Sequence, residues 1–397
     1  MLSDDEVKSF LSNKNLKLTK ENSNPRPFDQ KVTMDNLNTV AYLIDQIVKE
    51  DQKRDFTTTY IWKHNTSEEY VQMYGKGSVF DKKKNAEWNK FFPQPMNFLT
   101  YFGILTRDES KTPHKYKISN KELLEYIKSQ PNRSLKFLIY ATKEFIKQNS
   151  LTDILNNFFN LETKSEFDKL RENLKSFIFK NTKIEKKDEP SRIYNKIINH
   201  VAYDLGKRGN YRGRMSEDVI QIEELQYNQK NWYDILSGKP KKTSRAEYKK
   251  QYYANLAEED GIDVSERIAK KNIVKKHGFI SEFSGKDNAN ETHHIFMKSE
   301  FSKLRFLHEN LIRITAGEHL EKAHPLGNRL KVDEKFQIEL LLAKLKSILA
   351  DQNFYDFKTF IYVLNTGFNK KLDENTSADD VKSFLDQKLK NLRSTES

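Results

Sequence analysis

The stretch NETHHIFMK sets His293 and His294 side by side, between a polar, acidic lead-in and the apolar pair Ile295 and Phe296. An imidazole titrates near neutrality, so it can take a proton from water, and in its neutral form it binds metal ions. Six of the nine histidines, His277, His293, His294, His308, His319 and His324, fall between residues 277 and 324. Even spacing would put about one there, so the clustering needs a reason. Two neighbours at the end of a strand point to opposite faces unless the strand distorts. One imidazole can then face a metal ion while the other faces a water.

The surrounding pattern gives the elements that must position them. ETHHIF reads as a strand and MKSEFSKLRFLH as a polar loop. ENLIRITA reads as a half-buried strand alternating apolar and polar residues, and GEHLEKAHP as a short helix stopped by Pro325. Upstream, VSERIAKKNIVKKHG predicts a helix entering the region. Downstream, VDEKFQIELLLAKLKSILAD predicts an amphipathic helix capped by Asp333. Asn310 stands between the histidines, nine residues before His319. His324 follows His319 by five residues, about 140° round an α-helix. It reads as a phosphate contact or structural cap, with metal ligation as the alternative. His277 and His308 read as surface or packing residues.

In this order (His-His, then Asn-Leu, then a helical His) the region resembles the ββα-metal unit of the HNH endonucleases. The resemblance implies phosphodiester hydrolysis, which needs an activated water and a cation on the phosphate. It makes His293 and His319 metal ligands, His294 the general base, and Asn310 the catalytic-site residue whose amide bridges the loop backbone near His294. Many HNH domains carry two CxxC knuckles around a structural zinc. Here Ser281 and Ser284, then Thr315 and Glu318, stand in those positions, and the chain has no cysteine. No structural zinc is therefore expected, and packing by Phe283, Leu311, Ile312 and the helix after residue 332 must hold the scaffold. The expected cofactor is Mg²⁺, with Mn²⁺ or another divalent ion able to substitute.

The tail EHLEKAHPLGNRLKVDEKFQIELLLAKLKSI is similar to that of bacterial HNH restriction endonucleases. That implies a type II site-specific deoxyribonuclease, type IIS being one form, acting on double-stranded DNA in the bacterial cytoplasm. It also implies a restriction-modification partner, a cognate methyltransferase protecting the host site. One HNH unit acts on one strand, so double-strand cleavage implies a homodimer on DNA or sequential nicks. The alternatives are a homing or phage-type nicking endonuclease, and a winged-helix DNA-binding regulator with an inactive nuclease domain.

The reader of the site would precede the nuclease. DNLNTVAYLIDQIVKED predicts a helix capped by Asp35, with Leu37, Val40, Ala41, Ile44, Ile47 and Val48 on one face. Over 86–127, a helix through MNFLTYFGIL, strands ILTRD and HKYKIS, and a helix capped by Asn120 resemble a winged helix-turn-helix. Arg107, Lys111, Lys115 and Lys117 on its wing can meet phosphates or simply face solvent. GKRGNYRGR (206–214) reads as a mobile basic loop in which Lys207, Arg208, Arg212 and Arg214 track phosphates, or as a solvated linker. GKPKKTSRAEYKK (238–250) reads as a linker. The expected domains are a DNA-recognition region (1–145), a helical region with a basic linker (146–255), the HNH nuclease domain (256–350) and a helical extension (351–397).

Composition agrees with a mainly helical α+β chain that meets a polyanion. Its 397 residues carry a formal charge of +12, with pI near 9.3. A Lys-rich composition from an AT-rich genome would give the same balance. The 36% hydrophobic fraction can build a core. No apolar run is long enough to span a bilayer, and MLSDDEVKSF has no signal-peptide apolar region, so no membrane partner is expected.

Overall fold

Ser3 followed by acidic residues starts the chain in a helix, α1 (Asp4–Ser12), where Ser3 and Glu6 close a capping box. The computed structural model describes residues 2–23, 26–72, 74, 78–80, 85–186, 189–211, 213–227, 264–323 and 333–395. Among them the chain is mainly helical, with three two-stranded antiparallel sheets. It divides into two units, 1–240 and 241–397. The boundary expected at 145 falls inside a helix of the first unit. The boundary expected at 350 falls inside the second unit. The one expected at 255 lies outside the described residues.

In the first unit, the central helix is α2 (Met34–Glu50). Its apolar face is buried as its spacing predicts, with Val48 only half-buried. The polar residues Asn36, Asn38 and Thr39 are buried too. Each is hydrogen-bonded: Asn36 to the carbonyls of Lys31 and Phe91, Asn38 to that of Ile127, and Thr39 to the Tyr74 hydroxyl. Asp35 is not the cap. The helix starts after Thr33, and the Asp35 carboxylate accepts the Tyr227 N–H at 3.0 and 3.1 Å. That contact, 192 residues apart in sequence, competed with capping and took the side chain inward.

Short helices α3 (Thr58–Trp62), α4 (Asn65–Gln72), α5 (Asn85–Phe91) and α6 (Pro93–Tyr101) follow. Gly103, at φ +77°, turns the chain after α6. Strands β1 (Leu105–Asp108) and β2 (Lys115–Ile118) then pair antiparallel, Leu105 opposite Ile118. Asn120 caps α7 (Lys121–Ser129) by accepting the Leu123 N–H at 2.9 Å. The helix, hairpin, helix order expected over 86–127 is thus present.

Next come α8 (Pro131–Gln148), α9 (Thr152–Leu161), α10 (Lys164–Asn181) and α11 (Glu189–Leu205). The segment read as a basic loop is instead a hairpin, β3 (Arg208–Tyr211) with β4 (Arg214–Val219). The reason is local. Asn199 of α11 exchanges two hydrogen bonds with the Asn210 backbone, at 2.7 and 3.0 Å. A Cβ on Gly209 would stand 2.6 Å from Asn199 Oδ1, so only glycine lets the strand come this close.

The second unit runs α12 (Val264–His277), β5 (Ala289–His294), β6 (Leu311–Thr315), a π-helical turn at Glu318–Ala323, then α13 (Glu334–Ala350), α14 (Phe357–Phe368) and α15 (Ala378–Thr395). Asp333 caps α13 by accepting the Phe336 N–H at 2.7 Å. Strand β6 is buried on both faces rather than one: Leu311, Ile312, Arg313 and Ile314 are all buried. Arg313 lies inside because its guanidinium donates to the Gly278 carbonyl and to Thr292 Oγ1.

Lys344 of α13 is fully buried and meets Glu282, also fully buried, at 2.6 Å. Glu282 also accepts the Arg313 N–H and the Tyr355 hydroxyl, so one carboxylate joins β6, the loop before β5 and α13. Removing one partner strands the other charge in a dry interior. Lys344→Met is expected to lower stability by about 3 kcal/mol, and Lys344→Met with Glu282→Leu by less than the sum of the two single changes. Denaturant unfolding of the four proteins checks this.

Candidate functional site

Strands β5 and β6 place His293 opposite Ile312 and His294 opposite Leu311. The pleat therefore sends the two imidazoles to opposite faces. The His293 ring meets that of His319, on the π-helical turn, with centroids 5.0 Å apart and an edge-to-face angle of 68°. The turn was expected as an ordinary short helix; it is a π-helix. Two imidazoles in contact are a donor set that fits a divalent cation with its other positions left to water or phosphate oxygens. Among the described residues no third His, Asp or Glu joins them. His324 and Arg212 lie outside the described residues.

His294 is buried on the other face. Its Nε2 lies 3.0 Å from the Arg305 carbonyl. A carbonyl only accepts, so Nε2 carries the proton and Nδ1 keeps its lone pair. Burial first, then Lys270 and Lys298, push the imidazole down to about 3, so the ring is neutral at physiological pH.

Asn310 is fully buried and stitches the loop after β5. Its Oδ1 accepts the Phe296 N–H at 2.8 Å, and its Nδ2 donates to the carbonyls of Phe296 and Leu304. Its own carbonyl accepts the Ile295 N–H at 2.9 Å. The residues directly after His294 are thus tied to the residue directly before β6. Phe296 also rests on α14, where a Cβ on Gly367 would stand 2.3 Å from its ring.

The positions in which the resemblance places knuckle cysteines form one hydrogen-bonded cluster. Glu318 Oε2 accepts the Thr315 N–H and the Ser281 hydroxyl, each at 2.8 Å, and Ser284 bonds the same carboxylate. Glu318 N–H returns a bond to Thr315 Oγ1. This clamp fixes the start of the turn that carries His319. Phe283 packs edge-to-face on Phe336 of α13 at 5.0 Å. His308 is fully buried and stacks on Phe354, and His277 bonds the Tyr355 hydroxyl at 2.6 Å; both are packing residues.

Glu266, Lys270 and Lys298 carried no signal in the sequence. Glu266 Oε1 lies 2.9 Å from Lys270 Nζ, 3.3 Å from Lys298 Nζ and 3.6 Å from His294 Nε2. The i, i+4 spacing of Glu266 and Lys270 could have suggested their pairing, but not their place beside His294.

The predicted phosphate contacts of the first unit stand in mixed surroundings. The Arg107 side chain is only 4% exposed, bonded to Asn97 and paired with Glu109. Lys115 pairs with Asp55 at 3.0 Å, whereas Lys117 is exposed on the same strand face. Lys207 pairs with Glu162, and Arg208 and Arg214 are exposed on the second hairpin. No helix among the described residues is long and apolar enough to cross a membrane. Comparison with protein-family models, curated proteins and solved structures found no match to the chain.

Asn310→Ala is expected to cost about 3 kcal/mol, since it leaves buried backbone groups unanswered, and to speed amide exchange at Phe296. Hydrogen exchange with an unfolding titration checks both. Burial opposes ionisation of Glu318, but the bonds from Ser284, the Thr315 backbone and Ser281 outweigh it and hold the carboxyl below its ordinary range. The stability it adds is full above the ordinary glutamate pKa and lost as pH falls through the lower folded value. Glu318→Gln should therefore flatten the acid limb of a stability-against-pH curve.

Proposed function

We propose that the second unit is a metal-dependent nuclease domain of the ββα-metal (HNH) kind, and that the whole chain is a site-specific DNA endonuclease of type II restriction character. The observation that carries the reading is the strand-end pair: His293 in contact with His319 on one face, and His294 with a free Nδ1 lone pair on the other. His293 and His319 would hold the ion, Mg²⁺ or Mn²⁺. When bound, that ion supplies positive charge to the phosphate and leaving oxygen.

His294 Nδ1 would take a proton from the attacking water as the water oxygen bonds to phosphorus and the bond to the leaving oxygen breaks, with the negative charge of the phosphate raising the basicity that burial and the lysines lower. The Arg305 carbonyl keeps the ring in the tautomer that can do this. Asn310 fixes the loop around it, so the base does not drift from the water. The first unit serves as the DNA reader, with the 86–127 segment as a winged helix and Lys117, Arg208 and Arg214 as exposed cations suited to phosphates. A homodimer on DNA would cut both strands, and a cognate methyltransferase would protect the host site.

The test is plasmid cleavage with Mg²⁺ or Mn²⁺. The parent protein is expected to give discrete fragments, and His294→Ala to cut at least about a hundredfold more slowly. Equal cleavage by the variant would remove His294 from the base role. Tight site-specific binding with no cleavage by any divalent ion would favour a DNA-binding regulator.

A further inference from the structure

Two ammonium groups, Lys270 from α12 and Lys298 from the loop after β5, converge on a single oxygen of Glu266, beside the buried His294. Glu266 is the one carboxylate paired with either lysine among the described residues. The Lys270 side chain is 35% exposed and that of Lys298 26% exposed, so both remain open to a partner arriving from solvent. Among the described residues, two positive charges against one negative, partly removed from water, leave a local surplus that an anion would neutralise.

We propose that Lys270 and Lys298 form a seat for a backbone phosphate of the nucleic-acid strand to be cut, with Glu266 as the residue that positions both ammonium groups. The inference rests on the nuclease reading of the His294 site. Glu266 works by direction rather than by contact with the substrate. It draws two flexible side chains from separate segments to one point, so the charge is already assembled when the phosphate arrives. A phosphate oxygen there would share the lysines with the carboxylate.

The deciding measurement uses the full chain carrying His294→Ala, so that DNA is bound and not consumed. Affinity for a random-sequence duplex is followed against salt concentration. Adding Lys270→Met and Lys298→Met should reduce the slope of log affinity against log salt by about two units. In the His294 protein, Lys298→Met should slow cleavage on the order of a hundredfold, with Lys298→Arg recovering most of the loss. Glu266→Gln should bind DNA at least as tightly as the parent, because a negative charge is gone, yet cut about tenfold more slowly, with the loss in kcat rather than KM. An unchanged salt slope, or full activity in both the Lys298→Met and Glu266→Gln proteins, would overturn the seat. If the parent cuts no nucleic acid, the nuclease reading fails, and the salt slope still decides the seat by itself.

Discussion

A carboxylate taken out of water must be answered by charge or by hydrogen-bond donors. In the second unit two glutamates impose that condition on everything around them. Glu282 is answered by Lys344, Tyr355 and the Arg313 N–H; Glu318 by Ser281, Ser284 and the Thr315 N–H. Two of these partners, Ser281 and Ser284, stand on either side of Glu282 in the sequence. The short loop before β5 is therefore gripped from both sides. One grip reaches α13 and the other reaches the turn that carries His319.

The same economy of contacts separates the two imidazole environments. Between adjacent residues, the pleat of β5 divides a pair of rings in edge-to-face contact from a single ring held neutral against a carbonyl. His293 and His294 stand on the strand pair, and His319 on a clamped turn. The loop that follows is closed by Asn310. Side chains held in this way keep their relative positions without further ordering.

Much of this was legible from local pattern. Helix caps at Asn120 and Asp333, the apolar face of α2, and the order of strand, loop, strand and turn around the histidines all follow from residues close in sequence. The failures share a physical cause. Asp35 looked like a cap but was drawn to a backbone N–H far along the chain. Nothing in the local pattern marks Lys344, yet it neutralises a glutamate 62 residues away. β6 looked half-buried because Arg313 is polar, whereas its guanidinium finds acceptors inside. The basic 206–214 stretch looked loop-like because glycine permits many conformations, and the side chains of Asn199, Glu162 and Ser216 select one. Long-range partners for polar groups leave no periodicity to read.

Gly367 carries a consequence for the order in which the molecule is made. The ring of Phe296, two residues after His294, lies against a helix position where no side chain fits. Synthesis runs from the N-terminus, so the histidine pair leaves the ribosome well before its floor exists. The loop after His294, held by Asn310, gains its last packing contact once α14 has emerged and docked. α14 thus completes from outside a packing that the histidine pair and its loop begin.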